Sequence, residues 1–109
     1  MGKHHFGEFE EIVMLTVAVL YDEAYGIAII EEMESRLGRK VSIGALQTVL
    51  RRLEKKGYLS SRFGEATKVR EGKRKRFFSV TSYGKKVLAE AKDQRLFLWK
   101  AMPEFVINN

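Results

Sequence analysis

The alternation of apolar and polar positions divides the chain into four helical stretches and one pair of short strands. Apolar residues at Phe9, Ile12, Val13, Val17 and Leu20 predict a first helix over residues 9–21, and Met14, Leu15, Ala18 and Val19 fill the rest of its circumference. A helix that is apolar nearly all round is buried nearly all round. In a chain of 109 residues one side meets the domain's own core, so the other side is expected to meet a second chain. After a turn at residues 22–26, Ile27, Ile30, Met33 and Leu37 predict a second helix, with Ile29 on the same side and Glu31, Glu32 and Glu34 toward water. Gly38 is its stop signal.

Ser42 is a fitting N-cap for a third helix over residues 42–56, closed by Gly57. At about 100° per residue, Ile43, Leu46, Val49, Leu50 and Leu53 share one side. Gly44, Thr48, Arg51 and Lys55 lead the other, flanked by Ala45, Gln47 and Arg52. Small residues come first, then polar ones, then long cations. A helix entering a major groove by its N-terminal end needs that order, because small residues let the backbone approach, Gln and Thr bond base edges, and Arg reaches guanine or phosphate. Without the hairpin that follows, the same face would read as that of an ordinary surface helix whose outer side happens to be basic.

Two β-prone runs follow, residues 59–63 and 75–80, around a loop that ends in Gly72-Lys73-Arg74-Lys75-Arg76. Loops of this length without structure of their own are uncommon unless they do something. The cations Lys68, Arg70, Lys73 and Arg74 suit a wing along the sugar-phosphate backbone; a localisation tag or a protected sheet edge is the alternative. A fourth helix begins near Thr81 or Ser82 and is stopped by Pro103. Val87, Leu88 and Ala91 form its inward stripe, whereas Leu96, Phe97, Leu98, Trp99 and Met102 make an aromatic-rich surface that a lone terminal helix cannot bury against itself. Pairing that surface with the surplus on the first helix, across a two-fold axis, satisfies both. Val13, Val17, Leu96, Phe97, Trp99 and Met102 are accordingly the expected dimer or ligand interface.

Charge sharpens this division. Residues 36–86 hold sixteen Lys or Arg against three Glu, although the net charge of the whole chain is only +6, so the middle is strongly basic and the ends acidic. There is no cysteine, which excludes disulfides and thiolate metal sites and permits a reducing cytoplasm, the expected location. Residues 12–21 are too few to cross a bilayer. His4 and His5 are adjacent, not spaced as a helical ligand pair, and no cofactor or metal is expected. Neither a nucleophile elbow nor a phosphate-binding loop occurs, so an enzyme is not expected.

The segments Gly26-Ile27-Ala28-Ile29, Ser42-Ile43-Gly44-Ala45-Leu46, Leu50-Arg51-Arg52-Leu53-Glu54-Lys55-Lys56-Gly57-Tyr58-Leu59 and Gly72-Lys73-Arg74-Lys75-Arg76-Phe77-Phe78-Ser79-Val80-Thr81, with Gly84, occur in that order. Together they resemble the PadR family of bacterial transcriptional regulators, over residues 9–91. The single short C-terminal helix is similar to the smaller branch of that family. The resemblance implies a homodimeric repressor on a pseudo-palindromic operator, released by a small aromatic ligand or another signal. Gln47 stands where the family usually has Tyr, and Ile27 where it often has Tyr.

The expected fold is mainly α with a small β-hairpin (α+β): a winged helix-turn-helix core over 9–80, a C-terminal dimerisation helix over 81–102, and flexible tails at 1–8 and 103–109. The expected partner is double-stranded DNA, addressed by Ser42, Gly44, Ala45, Gln47, Thr48 and Arg51 and gripped by Lys73, Arg74 and Arg76. Two other readings stay open: a ligand-sensing regulator with an aromatic pocket at the dimer interface, and a winged-helix module that binds protein.

Overall fold

The computed structural model describes residues 6–64 and 74–108. Helix α1 spans Glu8–Leu20, and a single 3-10 turn, Tyr21–Glu23, leads to α2, Gly26–Leu37. Helix α3 spans Ile43–Lys55, strand β1 Leu59–Phe63 and strand β2 Arg76–Val80. Helix α4 follows at Ser82–Ala101 and a last turn, α5, at Glu104–Ile107. This is the mainly helical fold with one hairpin that the periodicity predicts.

The strands pair antiparallel with Leu59 opposite Val80 and Phe63 opposite Arg76. Beyond β2 a stub of a third strand adds itself: Tyr25 bridges to Phe77, and the Phe78 N–H donates to the Ala24 carbonyl at 2.8 Å. That stub anchors the start of α2 to the sheet. The core lies between the hairpin and the three first helices, with Met14, Ile29, Met33, Leu46, Leu53 and Leu59 all fully buried. Removing such side chains from water contributes roughly 1.5–3 kcal/mol each.

Several expected faces shift once the helices pack. Val13 and Val17 are 0 % exposed, inside the protomer's own core, so they cannot form an interface; Leu15 (42 %) and Val19 (54 %) are the apolar residues that α1 turns outward. A helix apolar on both sides carries no internal signal of which side is inward, and only the positions of α2 and α3 decide it. In α2 the buried pair is Ile29 and Met33, an i, i+4 stripe, while Ile27 and Leu37 are exposed. Ile43, assigned to the inner side of the third helix, is likewise exposed at the first turn of α3.

Both stretches assigned to tails hold residues of helices or residues packed on the body. Phe6 packs edge-on against Tyr58, with ring centroids 5.9 Å apart, and Glu8 opens α1 instead of lying in a tail. Residues 1–5, His4 and His5 among them, lie outside the described residues. At the other end Pro103 stops α4 but starts α5: its carbonyl accepts from the Val106 N–H at 2.9 Å, as the residue before a helix does.

The join between α3, β1 and α4 is tight. Gly57 has φ 83°, a left-handed turn that lets the chain reverse from α3 into β1 at no steric cost. The Thr81 hydroxyl donates to the Gly57 carbonyl at 2.7 Å and accepts from the Gly84 N–H at 2.9 Å, so it caps α4 and ties it to that turn. A methyl group on Gly84 would lie 2.3 Å from the Tyr58 carbonyl oxygen. Only glycine allows the approach.

Candidate nucleic-acid interface

Helix α3 forms because its apolar stripe is continuous and its first turn is capped. The Ser42 side chain accepts from the Ala45 N–H at 3.1 Å, so this serine serves the helix itself. Leu46, Val49, Leu50 and Leu53 face the core, which turns Gly44, Ala45, Gln47, Thr48 and Arg51 to the outside. The Thr48 hydroxyl donates to the Gly44 carbonyl at 3.0 Å, leaving its oxygen free to accept. A methyl on Gly44 would meet no atom within 4 Å, so the fold itself does not demand glycine there.

A cleft of about 390 Å³ runs along this face, with α3 on one side, the start of α2 on another and β2 on the third. Gln47 and Arg51 line it, together with Tyr25, Ile27, Ile43 and Lys75. The Lys75 ammonium sits 4.1 Å from the Tyr25 ring centroid, which holds a cation at the cleft wall by a cation–π contact. Lys75, Tyr25, Ile27 and Ile43 were not among the expected site residues. Lys75 was visible in the basic run, but β2 alternation alone does not say which cation faces the helix.

The cations sort into two groups. Among the described residues, Arg51 and Lys55 on α3 make no ion pair. Others are taken up by carboxylates far away in sequence. Arg39 makes a two-oxygen contact with Glu8, at 2.9 and 2.8 Å. Arg52 and Lys56 meet Glu10 at 3.2 and 3.5 Å, and Arg95 meets Glu11 at 2.7 Å. The acidic first turn of α1 thus neutralises cations of the connector, of α3 and of α4. Glu10 is buried; burial pushes its carboxyl pKa up, but the Gly7 N–H at 2.9 Å and the Arg52 and Lys56 charges outweigh it and hold the carboxyl below the ordinary glutamate value. The Arg39 hydrogen bond lowers Glu8 in the same direction. Tyr58 moves up, through its own burial first and the neighbouring Tyr83 and Glu10 next.

The expected wing residues divide similarly. Arg76 is bound at home: its guanidinium meets Glu54 at 3.0 Å and the Ser61 hydroxyl at 3.0 Å, and Ser61 donates to Glu54 at 2.7 Å. Arg74 is exposed and lies over the Phe63 ring at 5.8 Å. Lys68, Arg70 and Lys73 fall outside the described residues. Leu96, Phe97, Leu98 and Trp99 of α4 are exposed, and Met102 is half-buried. Among the described residues no group of acidic, His or Cys side chains is placed to hold a metal ion, and no helix is long and apolar enough to cross a membrane.

Three helices and a hairpin in this order, with a stub strand at Tyr25 between the first two helices and a capped helix presenting an open basic face beside the sheet, define a winged helix-turn-helix protein. The model of the transcriptional regulator PadR-like family matches residues 14–90, and the chain belongs to that family. A PadR-like transcription factor from Bacteroides fragilis is 28 % identical, with a TM-score of 0.71 over 84 % of each chain. A PadR family transcriptional regulator from Eggerthella lenta is 27 % identical, with a TM-score of 0.68 over 94 % of this chain and 88 % of that one. One from Clostridium difficile, 23 % identical, shares the fold with a TM-score of 0.69 over 90 % and 98 %. No curated protein matches the chain significantly. The protein is a transcriptional regulator with a DNA-binding winged-helix fold, from a family that is not one of enzymes.

Proposed function

We propose that the protein is a homodimeric repressor that reads a pseudo-palindromic duplex operator, with one α3 per half-site in the major groove. The observation that carries this is the composition of the exposed side of α3: Gly44, Ala45, Gln47, Thr48 and Arg51 stand free on a helix whose other side is locked into the core. Gln47 and Arg51 are the base-reading groups, the first suited to adenine and the second to guanine, and Gly44 and Ala45 let the backbone come close. Arg74 and Lys75 grip phosphate, with Lys73 beside them in sequence. The exposed residues Leu15, Val19, Leu96, Phe97 and Trp99 supply the two-fold contact, which sets the two recognition helices about 34 Å apart on one face of the duplex.

Selection of bound duplexes from a random pool, with the mass of the free protein measured in solution, tests the reading. A palindromic consensus and a dimer are expected. An asymmetric consensus from a monomer would refute the two-fold arrangement.

A second reading is favoured by the exposed aromatic surface of α4: Phe97 and the sole tryptophan, Trp99, from two protomers line a space that admits a flat apolar effector. Titration with planar cationic dyes should quench Trp99 emission. An unchanged spectrum across such a panel counts against a ligand there.

A further inference from the structure

Two isoleucines stand where neither the core nor their own helices need them. Ile27, in the first turn of α2, and Ile43, the first residue of α3, are each 43 % exposed. Isoleucine is β-branched and a weaker helix former than alanine or glutamate, so an open first-turn position gains nothing from it. The two residues belong together. Both line the cleft beside α3, and Ile43 is seated against the start of α2: a methyl group on Gly26 would lie 3.3 Å from its Cδ1 atom. The bare backbone at Gly26 thus lets the two helix starts close up and brings both isoleucines to one cleft.

The rest of the lining decides what the isoleucines would meet. Gln47 and Arg51 stand on the same cleft, and Lys75 is held there over the Tyr25 ring. The one carboxylate among the described lining residues, Glu54, is bonded to Arg76 and Ser61, so its charge is answered within the protein. A cleft with this balance attracts a polyanion. An apolar lip beside amide and guanidinium donors matches one base edge of the major groove: thymine presents a carbonyl acceptor and, next to it, a C5 methyl group. Cytosine presents an amino donor and no methyl. An aliphatic side chain against that donor strips its water and returns no bond.

We infer that Ile27 and Ile43 select thymine, by packing on its C5 methyl group in the major groove, at positions flanking the base pair that Gln47 addresses. This rests on the reading of α3 as the recognition helix and adds the first turn of α2 to the base-reading surface. The contact is apolar. It therefore adds specificity without adding a phosphate contact, and leaves the salt dependence of binding unchanged.

The test removes one methyl at a time. A duplex selected from the random pool is remade with uracil replacing each thymine in turn, which keeps the pairing and the carbonyl acceptor and deletes only the methyl group. The parent chain and its I27A and I43A variants are compared on these duplexes by fluorescence anisotropy at one salt concentration. Urea unfolding checks that both variants fold, as half-exposed positions at helix starts should allow. Uracil is expected to weaken the parent about fourfold at each contacted thymine, the worth of one buried methyl group. Each variant should lose that sensitivity at its own thymine and keep it elsewhere. If the parent binds uracil and thymine duplexes equally, or if both variants keep the full sensitivity, methyl reading by these isoleucines is wrong, while a selected consensus leaves the α3 reading standing. Variants that bind DNA as the parent does but sediment at a lower mass would overturn it too, and would assign the isoleucines to a contact between copies of the chain. A parent that selects no sequence at all refutes both readings.

Discussion

Replacing Glu10 by glutamine removes one charge from a buried site while keeping its shape and its acceptor oxygen for the Gly7 N–H. What is lost is the attraction to Arg52 at 3.2 Å and Lys56 at 3.5 Å, which ties α1 to the C-terminal half of α3. Charge-assisted hydrogen bonds contribute about 1.5–3 kcal/mol when well made, and stripping one partner from a fully buried pair costs about 3–5 kcal/mol. Here the carboxylate is 9 % exposed, but the cations are 50 % and 36 % exposed and rehydrate when released. The expected loss is therefore about 1–2 kcal/mol at neutral pH, or roughly 5–10 °C in Tm. The pH dependence carries the proof. Glu10 has a lowered folded-state pKa, so its contribution is complete above the ordinary value of 4.5 and is lost as pH falls through the folded value. Urea unfolding followed by circular dichroism, at one protein concentration, should show the gap between the parent chain and its Glu10→Gln variant closing below pH 4.5. A gap that stays constant from neutral pH deep into acid would mean that packing, not charge, holds α1 on α3.

Further outcomes separate fold from recognition. Gly84→Ala should destabilise by about 1–3 kcal/mol or more, read by urea unfolding, because its methyl would lie 2.3 Å from a backbone carbonyl oxygen. Gly44→Ala should do the opposite to stability, gaining up to about 1 kcal/mol of helix propensity, yet weaken operator binding by filling the space the backbone needs against the groove; equal operator affinity would remove Gly44 from the interface. Gln47→Ala should lose on the order of 1–3 kcal/mol on the selected site and little on random duplex, measured by fluorescence anisotropy. Arg74→Ala should weaken both alike and reduce the salt dependence by about one phosphate contact.

Element order and type were legible because each depends on residues close in sequence. The stripe Leu46, Val49, Leu50, Leu53 and the cap at Ser42 define α3 within one window of the chain, and the alternation around Leu59 and Phe78 defines the hairpin. The outward face of α3 follows from the same periodicity, since whatever is not on the stripe faces away. Less was visible where a helix has two apolar sides or where partners are far apart. Val13 and Val17 look no different from Leu15 and Val19 until α2 and α3 pack against one side of α1. Lys75 reached the cleft through the stub strand at Tyr25, which two residues of sequence do not announce.

The sequence by itself therefore determined the local elements, the open polar face of α3 and the excess of cations in the middle of the chain, all consequences of spacing within a few turns. Only the tertiary structure decided which of those cations remain available. Glu8, Glu10 and Glu11 stand in one helical turn, yet their partners lie 31, 42 and 84 residues away. Pairings over such separations depend on the angles at which helices cross, which no local pattern encodes. Packing turned an apparent split between a basic middle and an acidic start into a set of ion pairs, and left Arg51 and Lys55 of α3 without one among the described residues.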